Sequence, residues 1–148
     1  MRGMLAGMRP VVAIVVVLLL STLIGCGRRH YPVRGKVTLE DGTPLTKGMV
    51  VFESLDEKPP ITARGDIQTD GTYQLSTDKP GDGVPAGKYR ALVSPRDYDN
   101  IDGLEGPRRP PAFDLRYADF NTSGLQFEVN SSSNEYPIQV TRPARRSR

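Results

Sequence analysis

Cysteine and histidine each occur once in the 148 residues, as Cys26 and His30. That scarcity bounds the chemistry. A nucleophilic triad needs an imidazole held between a nucleophile and a carboxylate, and a zinc site needs several His, Cys or carboxylate ligands converging on one point. With a single imidazole just after the single thiol, neither constellation can be written from the sequence. His30 itself reads as a solvated residue of a short polar linker. Cys26 is different, because it closes an apolar run and a lone thiol in an oxidising compartment has no internal disulfide partner. Two further stretches carry groups able to hold a ligand. Asp97, Asp99 and Asp102 crowd carboxylates into one loop. An EF-hand needs oxygen ligands at positions 1, 3 and 5 and glycine at 6, whereas here the fifth residue is Ile101 and the glycine comes late, as Gly103. A solvated acidic loop is the default, with an irregular Ca²⁺ site as the alternative. Arg108, Arg109, Phe113 and Tyr117 interleave cations with aromatics, a surface able to stack sugar rings or grip an anionic polymer. The same two aromatics would equally staple a long loop onto a β domain, and that packing role is favoured.

What precedes Cys26 explains the cysteine. Arg2 and Arg9 give a basic start, and Val11-Val12-Ala13-Ile14-Val15-Val16-Val17-Leu18-Leu19-Leu20 is continuously apolar, the layout of a secretory leader. Leu23-Ile24-Gly25-Cys26 then resembles the lipobox of bacterial lipoprotein signal peptides. The resemblance implies a cut between Gly25 and Cys26, a diacylglyceryl thioether on the Cys26 sulfur and acylation of the new amino terminus. Two alternatives stay open: an ordinary cleaved signal peptide, and an uncleaved transmembrane anchor. Val11 to Ile24 spans about 14 residues, or roughly 21 Å of helix, against the ~30 Å and about 20 residues that a bilayer core demands. The anchor is short.

Removing the first 25 residues leaves 123, one ordinary domain large enough to bury a core without disulfides or a metal. The formal charge of +3 shrinks with the leader, since losing Arg2 and Arg9 leaves 18 Lys and Arg against 17 Asp and Glu. No argument for nucleic-acid binding follows from so small an excess. Fifteen Gly, thirteen Pro and no Trp, with few runs of helix formers, point to β structure.

The elements that must position any site are short strands. Residues 26–32 form a polar tether. Val33, Gly35, Val37 and Leu39 alternate with Arg34, Lys36 and Thr38, the period of a half-buried strand. Met49 to Glu53 is nearly continuously apolar and suits a central strand. Ile61 to Gln68 reads as a weaker strand interrupted by Gly65, and Thr69-Asp70-Gly71-Thr72 turns into Tyr73 to Ser76. Lys88 to Val93 alternates again. Periodicity lapses over 94–123, which is long for a loop in a compact domain. Leu125 to Val129 and Tyr136 to Thr141 restore it, with Pro137 placing the last strand at an edge. Residues 142–148 form a basic tail, expected to be disordered and solubilising, with anionic lipid as a lesser partner.

Seven such strands with Gly, Pro and Asp turns predict an all-β, antiparallel Greek-key sandwich over 33–141. The series Val33-Arg34-Gly35-Lys36-Val37, Asp41-Gly42-Thr43-Pro44-Leu45, Thr69-Asp70-Gly71-Thr72-Tyr73-Gln74-Leu75 and Val84-Pro85-Ala86-Gly87-Lys88-Tyr89 resembles carboxypeptidase regulatory-like domains, of the transthyretin (prealbumin) type. In particular it is similar to the small lipoproteins of planctomycete-type bacteria that carry them. The likeness runs from Val33 to Val93, with Arg116 to Asp119 and Thr122 to Leu125 resembling the closing part of those lipoproteins. It implies a prealbumin-like or Ig-like accessory or binding module rather than an enzyme. Hydroxyisourate hydrolases, an enzymatic branch of the transthyretin-like fold, use several His residues and a Tyr-Arg-Gly-Ser ending; this chain has one His and ends Arg-Arg-Ser-Arg. The expectation is therefore a non-enzymatic envelope lipoprotein with no cofactor, held to membrane lipid through Cys26. Gly27, in place of the Asp that retains many lipoproteins at the inner membrane, favours the outer membrane. An envelope protein or an envelope glycan is the expected partner, the glycan gripped by the 94–123 loop in the alternative reading.

Overall fold

The computed structural model describes residues 28–95 and 111–144. Among them the alternating segments become strands and no α-helix forms. β1 (His30–Tyr31) is short. β2 (Val33–Leu39) buries Val33, Val37 and Leu39 and exposes Arg34 and Lys36, as its period of two requires. β3 (Met49–Ser54) is buried on both faces, and it lies between β4 (Thr62–Asp66) and β7 (Gly87–Ser94). That explains its unbroken apolar run. β5 (Thr72–Gln74), β6 (Val84–Pro85), β8 (Leu125–Val129), β9 (Asn134–Glu135) and β10 (Ile138–Val140) complete the set.

Two four-stranded sheets share one core. One runs β4-β3-β7-β8, and the other runs β10-β2-β5 with β9 also paired to β2; β1 and β6 form a separate two-stranded pair. The chain itself joins the two sheets. Leu75 N–H donates to the Val33 carbonyl, and Ser76 then exchanges both backbone bonds with Arg64 at 2.9 Å, so the strand leaving β5 pairs with the edge of the other sheet. Val37, Val50, Phe52, Leu75, Ala91 and Ile138 are among the residues that fill the space between. An aromatic cluster crosses it. The Phe52 and Phe127 rings stack at 5.2 Å, Tyr136 meets Phe127 at 4.7 Å, and the Tyr136 hydroxyl donates to the Glu128 carbonyl.

Two expectations change. The architecture is not wholly antiparallel, because β9 and β10 pair with β2 in parallel. The reason is counting. The seven passes of the chain (β2, β3, β4, β5, β7, β8, then β9 with β10) alternate in direction, so the first and the seventh run the same way; as neighbours they can only pair parallel. β9 and β10 keep one register on β2, and the gap between them falls at Tyr136-Pro137, where proline has no N–H for the ladder. β10 does end its sheet. Second, the tether is partly structured, since β1 pairs His30 with Pro85 and Tyr31 with Val84. The described part of the 94–123 stretch contains a 3-10 turn over Leu115–Ala118, in keeping with a loop stapled by Phe113 and Tyr117, and Asp114 caps it by accepting from the Arg116 N–H.

Gly35 is where backbone must approach backbone. A Cβ there would collide with the Tyr136 carbonyl and come within 2.9 Å of the Tyr73 ring, which donates its hydroxyl to that same carbonyl at 2.7 Å. Gly35→Ala is therefore expected to cost about 1–3 kcal/mol, the range for overpacking a tight site. A urea unfolding midpoint unchanged from wild type would refute the close approach.

Candidate functional site

A concave surface lies over β2, β5 and β4, a cleft of about 1010 Å³. Its floor is built by strand geometry. Arg34 and Lys36 project from β2 opposite Gln74 and Thr72 of β5, and Arg64 projects from β4 beside Ser76. Side chains two apart on one strand share a face at roughly 6.6–6.8 Å. Thr77 to Pro80 and Glu135 form the walls, with Thr62 and Gln68 nearby. Arg34, Lys36 and Arg64 are exposed and make no ion pair among the described residues. The lining offers hydrogen-bond donors and acceptors and charge of both signs, with Arg34, Lys36, Arg64 and Lys79 against Asp66, Asp78 and Glu135; Tyr73, the only aromatic among its described residues, is 3% exposed and gives no stacking face. Such a surface can hold a hydroxyl-rich or anionic ligand. Among its described residues no nucleophile is paired with a base.

Beside it, His30, Asp78 and Asp82 bring their ligand atoms within 4.8 Å of one another. The arrangement looks like a metal site until lone pairs are counted. Asp82 Oδ1 accepts the Thr77 N–H at 2.8 Å, and Oδ2 accepts the Asp78 and Lys79 N–H groups, each at 3.0 Å. His30 Nδ1 lies 3.2 Å from the same Oδ2 and donates to it, since a carboxylate only accepts. Three of the four bonds converge on Oδ2, which has no acceptor site left. A cation at that oxygen would have to displace one of its donors. The cluster is a staple: Asp82 organises the turn after β5, and His30 pins β1 to it. Gly83 completes the joint at φ +90°, with the Tyr31 carbonyl where a Cβ would stand.

No family model, no curated protein and no solved structure matches this chain.

Of the residues picked out from sequence, the structure describes His30, Phe113 and Tyr117. Gly25, Cys26, Asp97, Asp99, Asp102, Arg108 and Arg109 lie outside the described residues. Phe113 and Tyr117 are 2% and 7% exposed and belong to the core, so neither presents a face for sugar stacking. The long segment folds back because the Asp114 N–H donates to the Thr141 carbonyl and the Ser123 hydroxyl donates to that of Ala91. Arg116 lies over the Tyr117 ring at 4.7 Å. His30 is not the solvated linker residue expected; its side chain is only 18% exposed. Its partner lies 52 residues away in sequence, and no local pattern announces it. The cleft cations were visible only as the polar half of two strands.

Partial burial pushes the Asp82 carboxyl up, but the N–H donors of Thr77, Lys79 and Asp78, helped by His30, outweigh it and hold the group at about 2. Asp41 is likewise held at about 2, by the N–H and hydroxyl of Thr43 and by Arg142. Both values lie below the unfolded-state value of 3.8, so these carboxylates stabilise the fold fully above about pH 4 and lose that contribution as pH falls toward 2. Asp82→Asn should lower stability at pH 7 by about 1–3 kcal/mol and flatten the acid limb between those limits. Chemical denaturation at pH 7, 4 and 2 measures both effects, and parallel wild-type and variant curves would refute the assignment.

Proposed function

We propose that this chain is a lipid-anchored bacterial envelope protein. Its β domain is a non-enzymatic binding or structural module of the prealbumin-type Greek-key class. The observation that carries the reading is Leu23-Ile24-Gly25-Cys26 at the end of an apolar run that follows Arg2 and Arg9. An acylated thioether gives the single cysteine a purpose that neither a core nor a disulfide supplies. Two or more acyl chains at about 0.8 kcal/mol per buried CH₂ hold stably where one holds marginally. Supporting the module class, consecutive strands cross between the two sheets (β2 to β3, β4 to β5, β5 to β7 and β8 to β9), and the last strand returns beside the first. Supporting the non-enzymatic reading, the one imidazole is occupied in holding a turn. Among the described residues no helix is long and apolar enough to cross a membrane. Gly27 favours the outer membrane.

Within this reading an envelope glycan is the partner class that the cleft suits, through Arg34, Lys36 and Arg64 rather than through Phe113 and Tyr117. Retardation of the domain in gels containing an acidic polysaccharide is the expected result, and the double variant Arg34→Ala, Arg64→Ala should run unretarded with an unchanged unfolding midpoint. Equal retardation of both proteins would remove the cleft from consideration.

The anchor is tested on the native protein. Mass spectrometry of its amino-terminal peptide should begin at Cys26 and carry the diacylglyceryl and amide-linked acyl masses. Cys26→Ser should lack them and migrate as the uncut precursor. A wild-type peptide with a free sulfur, or with residues 1–25 attached, would end the proposal.

A further inference from the structure

The distance between the lipid and the fold is short enough to dictate orientation. From the strand directions, the amino-terminal end of β2, the end of β3 and the start of β7 share one pole of the domain. Arg28 reaches that pole directly, because its guanidinium pairs with Glu57 at 2.8 Å. Only Gly27 separates Arg28 from Cys26, so their Cα atoms can be no more than about 7 Å apart, at ~3.6 Å per residue. His30, fixed in β1 and bonded to Asp82, lies within about 14 Å of the same cysteine. A leash of this length cannot lift the domain clear of a headgroup layer.

The pole also has the chemistry of a surface that touches lipid. Leu55, 47% exposed and one of two large hydrophobics left open to solvent, projects there, two residues from Glu57 and with its N–H donating to the Lys88 carbonyl. Arg29, Lys58 and Lys88 are exposed and unpaired among the described residues. Asp56, also exposed, and Glu57, paired with Arg28, follow Leu55 directly, so Arg28, Arg29, Lys58 and Lys88 set four cations against two carboxylates at this pole. One open apolar side chain with a cationic excess suits the boundary between headgroups and acyl chains, with the ammonium and guanidinium groups left at phosphate depth.

We infer that the β3–β4 loop, with Leu55 at its start and Lys58 beyond it, is a membrane-docking surface that lays this pole on an anionic bilayer. The cleft over β2, β5 and β4 then opens sideways, and the opposite pole points away from the lipid. This rests on the acylated Cys26 proposed above.

The test uses the full lipidated protein in vesicles of phosphatidylcholine and phosphatidylglycerol, with acylation leaving Cys26 unreactive toward thiol labels. A fluorophore is placed at Leu55→Cys or, as the distal control, at Thr46→Cys; both positions are exposed. Lipids carrying a nitroxide on the headgroup should quench the label at 55 several-fold more than the label at 46. Equal quenching on protein that floats with the vesicles would overturn the docking surface and leave the anchor standing. Protein that fails to float would overturn both.

Discussion

The two sheets are held in register by Tyr136, and much of the remaining geometry follows from where that residue must be. Its carbonyl accepts the Tyr73 hydroxyl at 2.7 Å, its N–H donates to Arg34, and its ring packs on Phe127, which stacks on Phe52 of the facing sheet. One residue thus ties β5, β2 and β8 together. Burial pushes the Tyr73 and Tyr136 phenols up, so both rings stay neutral hydrogen-bond donors at ordinary pH. Each aromatic contact contributes about 0.5–1.5 kcal/mol beyond area, and a hydrogen bond about 1 kcal/mol. No single contact is large. Their convergence on one residue makes the seam specific. Pro137 follows at once, and with no N–H to offer it leaves β9 and β10 separate strands in one register.

A seam that returns the last strand alongside the first has a consequence for the termini. β2 and β10 run the same way, so the chain enters at one pole and leaves at the other. The seven residues of β2 alone measure about 23 Å. The exit is fixed too: the Arg142 N–H donates to Glu40, and its guanidinium lies 2.9 Å from Asp41 at the distal hairpin. The same pole carries the turn at Gly71 and the 3-10 turn at Leu115–Ala118. Whatever holds the amino terminus therefore holds one end of the domain, and the basic residues beyond Arg142 start from the other. That geometry disfavours the basic tail as a lipid contact.

The strands were legible wherever one face is buried and the turn has a glycine. Val33 to Leu39, Met49 to Glu53, Lys88 to Val93 and Leu125 to Val129 were read to within about a residue, because a period of two is a direct record of inside and outside. The weaker strand around Ala63 was placed but drawn too long, since its inward Gly65 exists to admit the Gln74 carbonyl rather than to fill the core. Periodicity says nothing about partners. The parallel pairing of β10 on β2 joins residues about a hundred apart, and β1 and β6 are two residues each, too short to show any period. Phe113 and Tyr117 illustrate a different limit: an aromatic beside arginines has the same letters whether it faces a sugar or a core, and only the bonds from Asp114 to Thr141 and Ser123 to Ala91 decide. The cleft was hidden for the opposite reason. Arg34, Lys36 and Arg64 were correctly outside, but their proximity comes from the chain switching sheets at Ser76.

That switch also separates the roles of neighbouring polar groups. Asp82 and Arg64 lie on either side of the Ser76 crossing, yet one is saturated and the other is free. Both carboxylate oxygens of Asp82 are engaged, by three N–H groups of the turn and by His30, so replacing its partners would break structure before it created function. The Arg64 side chain has no partner among the described residues, and Arg34 extends that condition across the sheet. Exposed guanidinium groups without partners cost the fold little, because water solvates them; they are also the groups that an incoming anion can recruit without first paying to break a bond. Under the proposed anchor at Cys26, a domain leashed within about 14 Å of a surface could not turn such a cleft toward it without tearing His30 from Asp82 and β1 from β6. In that proposal the joint at His30 is the point where local hydrogen bonding decides which face of the molecule meets its surroundings.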